Sequence, residues 1–473
     1  MNLRKKLVGS LLCMVLATSL GLSACGTKPA NGGINTTTPA VSSPSNSETQ
    51  PGSEPAKDTG KGKTLEISWF EGGTGREYIE SAIDLYQSMY PDLKIVADIG
   101  PKNHEQLRPR FVAGNPPDVV FGNASFLDYF ALIADDQLMS VNDLLESPAP
   151  DDESKKLKDI FVPGTLDRGS KDGQTYVLPG FVHYYGLWYD ENTFSNNGWN
   201  VPDNYEEWLE VSEQIKQSGK MSPFIYQGMY PYYLLRTVFF PSVVQYGGKE
   251  AFDKIDGLEP GAWKQEAVLN AARDIKAYCD KYLLDGTLAL NHTQAQMELI
   301  NGRAAMITCG TFLESEMEGN WPDNFKLKYM FPPVNKAGKN DKYIWASSEF
   351  RAVSKNAQNP EMAKEFLKNM YRSDMRKIAA KAGGVYPIVG GVKGFEDVLP
   401  DSVVYANSII GKEGAQVIFG GYEKWYKTLY KKAQDSLTAL ISGKYTVEQF
   451  ADEIEKEAER IRQDSTIVKY KVK

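Results

Sequence analysis

Between Asp172 and Leu209 the chain reads DGQTYVLPGFVHYYGLWYDENTFSNNGWNVPDNYEEWL, and this order of local signals restricts the fold more than any other stretch. A turn at Asp172-Gly173 leads into a short apolar run, Tyr176 to Leu178, which Pro179-Gly180 is expected to break. Tyr184 to Tyr189 reads as a strand. A helix then starts at Pro202-Asp203-Asn204, where Asn204 and Glu207 have capping-box spacing ahead of Trp208, Val211 and Ile215. The chain thus completes one compact unit, crosses, and begins another.

The N-terminus sets the compartment. Arg4-Lys5-Lys6, an apolar run from Leu7 through Leu20, and Leu22-Ser23-Ala24-Cys25 form a secretory signal over residues 1–24. The run is too short, and too interrupted by Gly9, Ser10, Thr18 and Ser19, for a membrane-spanning helix. Leu-Ser-Ala-Cys matches the bacterial lipobox, which implies cleavage before Cys25 and diacylation of it; an ordinary signal peptide with an incidental cysteine is the alternative. From Gly26 to Gly62 only Ile34 and Val41 are sizeable apolar residues among Gly, Ser, Thr, Pro and Asn. Such a segment cannot bury enough surface to offset its ordering entropy, so 25–62 is expected to be a lipid-anchored flexible linker.

Roughly 400 residues remain, enough for two domains with cores of their own. The net charge of -8 argues against nucleic-acid binding. Cys279 and Cys309 could pair in an exported protein, but nothing in their spacing demands it, and free, buried thiols are expected. His104, His183 and His292 lie far apart and form no metal-ligand pattern, and no G-x-S-x-G elbow occurs. No metal and no cofactor is expected.

Leu65, Ile67 and Trp69 alternate with polar residues, so Thr64 to Phe70 reads as a strand. Arg76 to Tyr90 reads as a helix with Ile79, Ile83, Tyr86 and Tyr90 on one face, and Leu93 to Ile99 as the next strand. This βαβ unit puts Glu71 at the carboxyl end of a parallel strand, where α/β sheets take their ligands; a plain turn glutamate is the alternative. Further on, Ile225 to Tyr233 gathers Gln227, Tyr230, Tyr232 and Tyr233 around Gly228 and Pro231. Rings beside an amide suit a sugar, whose C–H face stacks while its hydroxyls take directed hydrogen bonds. Core tyrosines would read the same way. His292 opens a helical segment as a ligand contact or as a capping residue.

Several stretches together resemble the family 1 extracellular solute-binding proteins of carbohydrate ABC importers. They are Ala113-Gly114-Asn115-Pro116-Pro117-Asp118-Val119-Val120, the 172–209 stretch itself, Asn301 to Ile307, Cys309-Gly310-Thr311-Phe312, Asn359-Pro360-Glu361-Met362, and Gly383-Gly384-Val385-Tyr386-Pro387. Phe70-Glu71-Gly72-Gly73, Tyr185 to Tyr189, Leu258 to Trp263 and His292-Thr293-Gln294 are similar to the branch assigned to N-acetylglucosamine and N,N'-diacetylchitobiose.

The resemblance implies an α/β, two-lobed periplasmic-binding-protein (Venus-flytrap) fold joined by crossover strands. The N-terminal lobe would comprise 63–180 plus 345–392 and the C-terminal lobe 181–344 plus 393–473. It implies hinge closure on a carbohydrate, delivery to a membrane permease with its ATPase, and no bond broken in the solute. The chain would be a monomer held on the outer face of the membrane by lipidated Cys25. The candidate ligand residues are Glu71, Asn123, His183, Tyr184, Gln227, Tyr230, Tyr233, His292, Thr311, Phe312, Trp345 and Glu349; at Phe312 the family pattern has a Trp whose ring stacks on the sugar. Two other readings compete. A surface glycoside hydrolase needs two carboxylates facing across the bond, a pair that Glu71 and Glu349 would supply. A sugar-sensing adaptor of a signalling kinase would use the same fold.

Overall fold

The structure, a computed structural model, describes residues 63–72, 74–122, 127–336, 341–412 (without the side chains of 411 and 412) and 415–469. The expected signal peptide 1–24, the linker 25–62 with Cys25, and Asn123 lie outside the described residues.

Among the described residues, nine strands form one mixed sheet: β1 (Thr64–Phe70), β2 (Lys94–Gly100), β3 (Val119–Phe121), β4 (Leu178–Asp190), β5 (Ser222–Ile225), β6 (Ala304–Gly310), β7 (Leu327–Met330), β8 (Tyr343–Val353) and β9 (Gln416–Ile418). Their order is β2-β1-β3-β8-β4-β6-β5, with β7 beside β4 and β9 beside β8. The first three strands are parallel. The helix Glu77–Met89 connects β1 to β2 and buries Tyr78, Ile79, Ala82 and Tyr86, the face its apolar spacing predicts.

β4 and β8 are the long strands and run antiparallel, pairing Ala346 with Tyr184, Ser347 with His183 and Ser348 with Val182. The expected break at Pro179-Gly180 does not occur, because β4 runs through both residues. The ladder has its register shift opposite them, between Ser348 and Phe350, and Pro179 pairs with Phe350 just beyond it. A proline that cannot donate is tolerated where the ladder is already irregular. Its carbonyl is used instead, accepting from the Tyr371 hydroxyl at 2.7 Å.

The apolar side chains gather on two sides of this crossing. One core holds Leu65, Ile67, Trp69, Tyr86 and Phe366, with a neighbouring cluster of Leu107, Phe130 and Phe350. The other holds Trp188, Trp208, Trp263, Tyr278, Trp345 and Tyr422. Along β4, Leu178 and Phe181 belong to the first core and Val182 onward to the second. β8 returns in the opposite sense, from Tyr343–Ala346 in the second to Val353 in the first. The result is two α/β lobes joined by crossover strands.

The C-terminal segment adds a further link. Tyr422 packs in the second core while Trp425 meets Phe130 edge-on at 4.9 Å. The last helix, Val447–Gln463, opens with the Thr446/Gln449 capping box and buries Phe450, Ile454, Ala458 and Ile461. Cys279 and Cys309 are buried and free, one on the helix Glu266–Tyr282 and the other on β6.

Candidate ligand-binding site

Where β4 and β8 cross, the lobes enclose a cavity of about 320 Å³. Phe70 and Phe121 enter it from the carboxyl ends of β1 and β3, the end where parallel strands present ligand groups. β4 contributes His183 and Tyr185, which share a face of the strand. Thr311 and Phe312 follow the end of β6. β8 contributes four consecutive residues, Ser347, Ser348, Glu349 and Phe350. Strict alternation would turn half of them away; the register shift between Ser348 and Phe350 re-aims them.

The aromatic wall is centred on Phe312, which meets His183 at 5.4 Å, Tyr185 at 6.1 Å and Tyr233 at 6.4 Å in edge-on geometry. Burial pushes the His183 imidazolium down to about 4, so the ring is neutral near pH 7. The Ser348 hydroxyl is buried and has no hydrogen-bond partner among the described residues. An unpaired buried hydroxyl costs free energy, which a polar ligand atom would recover.

Charge is placed at two ends of the cavity. At one end Glu349 accepts from the Phe181 amide at 3.3 Å and from Arg351 at 3.5 Å. Burial raises the Glu349 pKa, and Arg351 pulls it back. The Arg351 guanidinium is itself held between Trp69, Phe181 and Tyr386, within 4.9 Å of each ring centre. At the other end Arg236 donates to Glu423 at 2.7 and 3.0 Å and to the Tyr185 hydroxyl at 2.7 Å. Lys424 also lines the cavity. Burial lowers its pKa to about 8, with Arg236 and Arg168 adding to the effect and Glu423 opposing it.

Of the residues expected to bind, the cavity wall brings together His183, Tyr233, Thr311, Phe312 and Glu349. Glu71 lines an adjoining open cleft that shares Thr74, Ser315, Ala382 and Gly383 with the cavity. The other expected residues within the described range are placed off the wall. Tyr184 takes the opposite face of β4, with its hydroxyl 3.5 Å from Asn407. Gln227 is buried and accepts from Thr308 at 3.3 Å. Tyr230 is exposed, tilted against Tyr232 at 6.2 Å. His292 sits behind Tyr233 and Glu316. Trp345 is fully buried in the second core, stacked on Phe240 at 5.1 Å.

Sequence reasoning passed over Tyr185, Arg236, Glu316, Ser347, Ser348 and Lys424, all of which line the cavity. Tyr185 carried a usable signal, since it shares strand parity with His183. Arg236 and Lys424 carried none, because long-range packing alone brings their helices to the cavity.

Two α/β lobes with a cavity at their crossover strands have the arrangement of a solute receptor. Residues 72–377 match the bacterial extracellular solute-binding proteins, and the chain belongs to that family. It is 26% identical over 422 residues to the diacetylchitobiose binding protein NgcE of Streptomyces coelicolor, covering 86% of this chain and 87% of that protein. The solved structure of a chitin oligosaccharide binding protein superposes with a TM-score of 0.63 at 20% identity, over 84% of this chain and 98% of the other. The apo form of RafE from Streptococcus pneumoniae gives a TM-score of 0.66 at 15% identity, over 84% and 97% of the two chains. The chain is an extracellular solute-binding protein, a receptor and not an enzyme.

Proposed function

We propose that this protein captures an amino sugar, N-acetylglucosamine or N,N'-diacetylchitobiose, between its lobes and delivers it to the permease of an ABC importer. The observation that carries the reading is the cavity itself: aromatic rings beside hydroxyls and a carboxylate, in a volume of about 320 Å³. That volume lies at the small end of the roughly 300–1,000 Å³ usual for small-molecule pockets, which suits a sugar of one or two units. The choice of amino sugar leans on the likeness to NgcE.

The lobes, 63–180 plus 345–392 and 181–344 plus 393–473, would close by bending at β4 and β8. A ligand that touches both lobes favours the closed form by its extra contacts there, which is all the driving force hinge closure needs. His183, Tyr185, Tyr233, Thr311, Phe312, Ser348 and Glu349 form the ligand set on this reading, with Glu71 at its outer edge. Cys25 would carry the lipid and 25–62 would span from membrane to receptor, as a monomer that docks on the permease and its ATPase.

A thermal-shift screen against mono- and disaccharides tests this. A ligand that binds only the folded chain adds about 2.7 kcal/mol of stability at a hundredfold excess over its Kd, a shift of a few degrees. The expected result is a rise with N-acetylglucosamine or diacetylchitobiose. A rise with another sugar alone discards the amino-sugar reading, and no rise with any sugar discards the solute class.

A further inference from the structure

Glu316 is the second carboxylate on the cavity wall, and its position is set from behind. Its Oε2 lies 2.6 Å from His292 Nε2 and 3.0 Å from Gln296 Nε2. His292 Nδ1 in turn lies 2.9 Å from the Tyr233 hydroxyl. A carboxylate is acceptor-only, so at 2.6 Å the proton belongs on His292 Nε2; two lone pairs facing at that distance would repel. When the ring is protonated at Nε2 alone, Nδ1 carries a lone pair and Tyr233 donates to it. Gln296 Nε2 stands 3.0 Å from His292 Nε2 because both donors converge on one oxygen.

The delivery is rigid. His292 and Gln296 are one turn apart on the helix His292–Ile300, whose start is fixed by the Asn291/Gln294 capping box. Gln296 is itself buried, 1% exposed. His292 does not line the cavity, whereas Glu316 and Tyr233 do.

We infer that Glu316 is a ligand-binding residue, accepting through Oε1 from a hydroxyl or amide N–H of the bound sugar, and that His292 is the positioning residue that holds it. Oε2 is engaged by His292 and Gln296, and Oε1 has no hydrogen-bond partner among the described residues. An acceptor-only atom at this point selects a donor: a sugar hydroxyl or the N–H of an acetamido group. It repels a carboxylate or phosphate, so a uronic acid or sugar phosphate is excluded from this corner. The inference rests on the cavity being a sugar site.

Two substitutions at His292 separate its roles. His292→Gln puts an amide nitrogen near the place of Nε2, keeping the donor to Glu316 and losing the acceptor for Tyr233. His292→Asn keeps an acceptor for Tyr233 and loses the donor to Glu316. The measurement is the calorimetric Kd, on the full chain, for N-acetylglucosamine, diacetylchitobiose and whichever other sugar shifts the wild-type melting temperature most. Glu316→Gln and His292→Asn are expected to raise Kd about tenfold or more, while His292→Gln stays within about threefold. Equal weakening by both His292 variants, or wild-type affinity in Glu316→Gln, overturns the inference while leaving the sugar reading intact. A wild-type chain that binds no sugar overturns both.

The ring proton gives a readout that needs no variant to bind. The chain has only three histidines, so ¹⁵N spectra of histidine-labelled protein resolve His292 by its loss in His292→Gln. The Nε2-protonated tautomer is expected, and the Nδ1-protonated one overturns the positioning role.

Discussion

Glu349 rests against the bare backbone of Gly180: a Cβ at position 180 would come within 2.7 Å of Glu349 Cβ and 2.9 Å of its Oε2. The two crossover strands approach closely enough to aim this carboxylate only because residue 180 has no side chain. Gly180→Ala is therefore expected to displace Glu349 and weaken sugar binding about tenfold, with overpacking costing about 1–3 kcal/mol of stability. Calorimetry with the sugar and urea denaturation without it measure the two effects separately. Unchanged affinity would mean that Glu349 is not a ligand contact.

Phe312 and Trp345 separate the cavity from the core. Phe312 lies on the cavity wall and Trp345 is fully buried against Phe240. Phe312→Ala is expected to weaken binding by about 1–1.5 kcal/mol through the lost stacking face. Trp345→Phe is expected to leave Kd unchanged while costing about 1–3 kcal/mol of folding stability, since the smaller ring leaves a void. Titration and chemical denaturation of both variants check the contrast.

Glu423 is the anion that offsets three cations. Arg236 meets it at 2.7 Å, Arg168 at 3.7 Å and Lys424 at 3.6 Å, with Glu423 itself only 1% exposed. Burial works against its charge, but Arg236, Lys424 and Arg168 outweigh that and hold the carboxyl below its usual range. Glu423→Gln leaves the buried Arg236 guanidinium without its paired carboxylate, and the expected loss is about 3–5 kcal/mol in urea denaturation. Because the group is so deeply buried, Glu423→Leu is not expected to rescue it; Arg236 would still lack the carboxylate it is paired with.

His183 makes the fold sensitive to acid. Its folded pKa is about 4, against about 6.5 for an unperturbed imidazole in the unfolded chain. Between these values the unfolded chain binds a proton that the folded one does not, so stability falls as pH drops from about 6.5 to about 4. Above that window the contribution is constant. Asp256 acts in the opposite sense: burial raises its folded pKa to about 7, so its contribution declines as pH rises from about 4 to about 7. His183→Gln is expected to remove the acid-side loss, on the order of 1–2 kcal/mol, from a pH series of urea midpoints. An unchanged series would place the ring in solvent.

The lobes were legible because their local signals agree with their packing. Thr64 to Phe70 alternates and is a strand, and the Thr446/Gln449 spacing closes a capping box over a buried stripe. Strand β4 was misread at Pro179-Gly180 because both residues oppose a sheet strand locally, and the register shift that accommodates them lies on β8, far away in sequence. The candidate cavity was legible where a motif carried it, as at Thr311 and Phe312, which line it. It was not legible where parity on a strand decides between Tyr184 and Tyr185, or where a distant helix delivers Arg236. His292 was singled out by sequence, but its place behind Glu316 depends on the turn after β6.

The most direct single test is a calorimetric titration of N,N'-diacetylchitobiose into the wild-type chain. Saturable binding at one site per chain is the expected result. The absence of binding heat at several temperatures, with a folded protein, would contradict capture of an amino sugar in the cavity between the lobes.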